Sequence, residues 1–100
     1  MQIEAIKIKI ENAGKVIQNR YRTIEDVISA GVDMVNVVAD LEEMIARKYA
    51  DISLRPGVEN YSEAKIKRLW HNETIDERKL LTIAKGFKKT LKNIEYNLLK

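Results

Sequence analysis

The stretch TIDERKLLTIAKGFKKTLKNIEYNL, residues 74–98, sets Leu80, Ala84, Phe87, Leu91, Ile94 and Leu98 at steps of 4-3-4-3-4. An α-helix turns once every 3.6 residues, so side chains at this spacing form one narrow stripe. A strand would need strict alternation, which this stretch lacks. Thr74 and Glu77 stand at capping-box spacing, where a hydroxyl and a carboxylate satisfy the free amides of a first turn. The reading is a helix over 75–99. A stripe of this kind must be covered, so the fold class follows: all-α, a small bundle of about four helices.

Upstream, Asn60 and Glu63 have the same capping-box spacing and predict a short helix of about ten residues. Its apolar side is Ile66, Leu69 and Trp70, and His71-Asn72-Glu73 ends it. Residues 51–60 hold the only proline, and Pro56-Gly57 is a turn signal because proline presets φ and glycine tolerates positive φ. They divide one domain, 1–100, into a helical half with the capacity to dimerise (1–50), a connector (51–60) and a basic helical half (61–100).

Before the connector, Thr23 with Asp26 marks a helix start. Val27, Gly31, Met34, Val38, Leu41 and Ile45 then repeat the 4-3-4-3-4 step. Gly31 either lies inside this helix or splits it, with Asp33 as a second cap, and the β-branched Val32, Val35, Val37 and Val38 weigh against helix. Over residues 1–22 two patterns compete. Ile6, Ile8 and Ile10 alternate with lysines as in a strand, whereas Ile3, Ile6, Ile10, Ala13 and Ile17 keep helical spacing for longer. Helix is preferred.

Composition excludes several classes. The 45% apolar residues suit a packed core, and 33% charged residues suit a polar surface. With no cysteine there is neither a disulfide framework nor a thiolate metal site. No run nears the ~20 apolar residues of a membrane helix, and the N-terminus has no secretory pattern. A cytoplasmic location away from membranes is the expectation. One histidine, His71, cannot build a histidine metal site, and no phosphate loop, nucleophile elbow or zinc-helix motif occurs. Glu42, Glu43 and Asp40 fall on the solvent side of their helix, where carboxylates make no acid/base pair. No enzyme, metal or cofactor is expected.

Charge is uneven. Residues 1–60 carry eight Lys/Arg against ten Asp/Glu, and residues 61–100 carry ten against five. On the last helix Arg78, Lys85, Lys88, Lys89 and Lys92 avoid the apolar stripe. Such a face contacts phosphates or is simply solvated.

The run 64–87 resembles the recognition helix and following helix of lambda-repressor-like helix-turn-helix proteins. Ile66 and Trp70 match the inner side of the first helix; Leu80, Ile83 and Ala84 match the core of the second. Asn72 stands where the family usually has glycine, and Asp76 where it often has proline. The resemblance covers about a quarter of the chain and implies a DNA-binding regulator working as a dimer. It implies a recognition helix over 61–71 offering Ser62, Glu63, Lys65, Lys67 and Arg68 to bases, with Lys85, Lys88, Lys89 and Lys92 on phosphates. The other reading is a bundle whose apolar seams bind a second copy or another protein, with no nucleic acid involved. Trp70 is then packing.

Overall fold

The computed structural model describes residues 2–100 and contains four helices: α1 (Ile3–Gln18), α2 (Ile24–Ser53), α3 (Glu63–Glu73) and α4 (Ile75–Leu98). Helical spacing wins at the N-terminus. Ile6, Ile10 and Ala13 are buried while Ile8 is 57% exposed, so the alternating isoleucines do not share a face. Gly31 does not interrupt α2, which runs unbroken for 30 residues. At 1.5 Å per residue that helix is about 45 Å long, and it sets the length of a molecule measuring 57 × 23 × 16 Å.

The three seams meet as the spacing requires. Ile6, Ile10 and Ala13 of α1, Val27, Ala30, Met34, Val37, Val38 and Leu41 of α2, and Ala84 and Leu91 of α4 form one buried cluster. Helix α2 runs antiparallel to α4: Ile28 shares a groove with Glu95, and Glu42 pairs with Lys85 at 3.6 Å. Helix α1 is antiparallel to α2, with Lys9 reaching Asp33 at 3.4 Å. It passes close to α4 at Gly14, where a Cβ would stand 3.4 Å from Phe87. Ile83, expected inside α4, is instead 44% exposed, because a stripe centred on Ala84 and Leu91 leaves it at the edge.

Sixteen residues of α1 cannot cover thirty of α2. Beyond α1, the C-terminal part of α2 is covered by α3 and the connector. Trp70 Nε1 donates to the Ile45 carbonyl at 2.7 Å, and its ring meets Tyr49 edge-on at 5.1 Å. Ile52 and Val58 are buried. Arg55 grips Glu73 with two bonds, of 2.7 and 2.6 Å.

Three boundaries differ from expectation. Helix α2 continues to Ser53, so the connector spans 54–62, with Gly57 at φ 89°. The cap of α3 is Ser62, whose hydroxyl accepts from the Lys65 amide at 3.2 Å, and not Asn60. His71, Asn72 and Glu73 are helical, leaving Thr74 alone between α3 and α4. The Thr74–Glu77 capping box does not form. The Thr74 side chain is buried, donates to the Trp70 carbonyl at 2.7 Å and accepts from Arg78 Nε at 2.8 Å. The hydroxyl oxygen, which in a capping box would accept from a first-turn amide, accepts from the Arg78 side chain instead.

The capping box at Thr23 does form. Its hydroxyl accepts from the Asp26 amide at 3.1 Å, and the Asp26 carboxylate accepts from the Thr23 amide at 3.5 Å. Thr23→Ala leaves a first-turn amide without its partner. We expect about 1 kcal/mol lost, read as a lower urea midpoint with an unchanged slope.

Candidate interaction face on α2 and α4

The main core occupies one side of the α2/α4 pair, where α1 lies; the opposite side has no covering helix. On it α2 presents a second apolar stripe. Ile28, Val32 and Val35 are 44%, 55% and 48% exposed, and Ala39 continues the 4-3-4 step in an exposed position. Between this stripe and α4 runs an open groove of about 310 Å³, lined by Ile28, Gly31, Val32, Val35, Lys88, Lys92 and Glu95. A second groove of about 370 Å³, lined by Val38, Glu42, Lys85, Lys88, Lys89 and Lys92, shares two of those lysines and prolongs the first.

Helix geometry explains the lysines. Lys85 and Lys92 directly follow the buried Ala84 and Leu91, and Lys88 lies one turn on from Ala84. All three therefore point to the same flank of α4, and Lys89 stands just outside them. Lys85 is partly engaged by Glu42, while Lys88, Lys89 and Lys92 form no ion pair among the described residues. Gly31 sits at the groove's edge, where a Cβ would meet nothing within 4 Å. Glycine there weakens α2 by about 1 kcal/mol relative to alanine, and nothing inside the chain requires it.

The other cationic residues of interest lie on α3. Lys65, Lys67 and Arg68 are all exposed, as a base-reading helix would need. Lys67, however, pairs with Glu63 at 3.1 Å, and that contact raises its pKa above the ordinary value of 10.5. The Lys65 ammonium lies 3.7 Å from the centre of the Tyr61 ring. The two grooves draw on the α4 lysines and not on these three. Arg78, read in sequence as part of the basic face, is turned to packing: its guanidinium lies over the Trp70 ring at 4.5 Å. Glu42 and Glu43 face open surface with Lys85 and Arg47 as partners. No group of His, Asp and Glu among the described residues is arranged to hold a metal ion. Among the described residues no helix is long and apolar enough to cross a membrane.

Sequence reasoning misses the outer stripe of α2, although a signal for it is present. One seam accounts for Val27, Met34, Val38 and Leu41 but leaves Ile28, Val32 and Val35 without a role. Val32 and Val35 count as a propensity against helix when taken singly, whereas two apolar stripes on one helix call for two partners.

The Arg55–Glu73 pair fixes the connector to α3. Hydrogen bonding to Arg55 holds the Glu73 carboxyl below its ordinary value of 4.5. A depressed acid adds stability that is fully present above the ordinary value and disappears as pH falls through the lowered one. Below about pH 4 we therefore expect amide exchange over 54–73, corrected for intrinsic rate, to quicken before that of α1. In Glu73→Gln the same segment should already be loosened at neutral pH.

Comparison of the chain with protein-family models, curated proteins and solved structures returns no match.

Proposed function

We propose that this chain is a non-enzymatic interaction module whose working surface is the open side of α2 and α4, and that the surface takes a helix of a protein partner. The uncovered stripe of Ile28, Val32 and Val35 carries this reading. Three adjacent aliphatic side chains about half exposed on a helix mark a binding face more than a solvated one. Phosphates would gain from Lys88 and Lys92 but would leave that stripe in water. An amphipathic helix satisfies both, burying the stripe while meeting the lysines with carboxylates.

The test is a photoreactive phenylalanine analogue at Val32 in cells of the native host, with the same analogue at exposed Tyr21 as control. A discrete protein adduct at Val32 alone is the expected outcome; adducts at neither position would sink the assignment.

The exposure of Lys65, Lys67 and Arg68 favours a second reading, DNA binding by α3 with the α4 lysines on phosphates. It predicts a gel shift with mixed duplex DNA that weakens steeply with salt and is lost in Lys85→Glu with Lys89→Glu. No shift at low salt removes it.

A further inference from the structure

We infer that the occupant of the α2/α4 face is a second copy of this chain, seated so that the two α2 helices run parallel about a twofold axis along their length. The inference rests on the assignment of that face to protein docking and names the partner. Its ground is the distribution of charge across the face. One edge is basic on balance, with Lys85, Lys88 and Lys92 of α4 outnumbering Glu95 beside them. Glu42 reaches that edge through Lys85, and Glu43, one residue on, points about 100° further round α2. Glu43 and the exposed Glu25 therefore border the apolar stripe on the side away from α4. Glu43 also pairs with Arg47, four residues on, but an exposed pair of that kind is weak and is readily exchanged.

A face with one basic and one acidic edge is complementary to itself in one orientation. Turning a copy over about an axis along the helices lays its acidic edge on the basic edge beneath. Turning it about an axis across the helices lays lysines on lysines. The parallel seating brings Ile28, Val32, Val35 and Ala39 opposite their own counterparts, a 4-3-4 seam of the kind parallel helix pairs use. Gly31 lies on the flank of the stripe that faces α4, in the groove the partner's acidic edge must cross, and a Cβ there would meet nothing of this chain within 4 Å. A leucine at this position would fill that flank and stand in the way of the edge-to-edge contact.

Three measurements on the full chain decide it. Sedimentation equilibrium should give about twice the chain mass of 11.6 kDa, with dissociation promoted by salt. Gly31→Leu adds a good helix former at a site with room for it, so helix content should hold while the dimer weakens about tenfold or more. The chain has no cysteine, so Ile28→Cys and Ala39→Cys each introduce one thiol. In the parallel dimer each variant should cross-link to itself on mild oxidation. Positions 28 and 39 are about 16 Å apart along a helix, too far for a disulfide between them in that register.

A wild-type chain of 11.6 kDa at every concentration overturns the inference; if the photoreactive Val32 variant still forms an adduct of another mass, the docking face survives with a different partner. Cross-links that appear only when the two cysteine variants are mixed overturn the parallel seating. A dimer unaffected by both Gly31→Leu and Val32→Glu joins its copies elsewhere and overturns the inference, and the Val32 adduct alone then decides whether the docking face stands.

Discussion

Leu41→Ala is expected to destabilise the fold by about 3 kcal/mol. Leu41 is fully enclosed at the level where α2 packs on α4, near the Glu42–Lys85 pair. Removing its branched end loses the transfer energy of the deleted carbons. It also leaves a cavity that three helices packed along one seam close only in part by moving together. A chain of 100 residues has about 5–15 kcal/mol in hand, so the loss should lower the melting temperature by roughly 12–24 °C. Thermal unfolding followed by circular dichroism, at fixed protein concentration, measures it. Val32→Ala is the matched control: the same helix, 55% exposed, with a change expected within about 0.5 kcal/mol under dilute conditions. Equal losses in the two variants would mean that the cluster is not where stability resides.

That contrast also separates what is legible in the sequence from what is not. The seams of α1, α2 and α4 are periodic over many turns, and periodicity survives whatever packs against it. Ile6, Ile10, Met34, Leu41, Ala84 and Leu91 are therefore recognisable as core positions from spacing alone. Local chemistry is less decisive where tertiary contacts compete for the same group. Thr74 has the residue type and spacing of a cap, yet Trp70 and Arg78 claim its hydroxyl. Ser62 caps α3 two residues after the expected Asn60 because the turns through Val58 and Tyr61 carry the connector further. The candidate face lies still further from reach. Lys85, Lys88, Lys89 and Lys92 can be placed on one flank of α4 by counting, but which side of α2 they border depends on where α1 lies.

The second large effect concerns α3. None of its residues is fully buried, so it is held by few contacts, and Trp70 supplies most of them: the Ile45 carbonyl, the Tyr49 ring and the Arg78 guanidinium. Trp70→Ala should cost about 2–3 kcal/mol, at or below the lower end for tryptophan because the side chain is only half-buried. The loss should be local. Helix α3 lies outside the cluster that joins α1, α2 and α4, so it can detach while that core stays folded. Amide exchange over 63–73 should accelerate about 30- to 150-fold, while amides around Met34 and Leu91 keep their protection. Trp70→Phe separates the two parts of the effect. It keeps a ring against Tyr49 but removes the indole N–H, and the Ile45 carbonyl retains its helical partner, so about 1 kcal/mol is expected. Uniform acceleration across all four helices in Trp70→Ala would show instead that α3 is part of the cooperative core, and a basic helix that cannot detach alone would then count as a fixed part of the bundle.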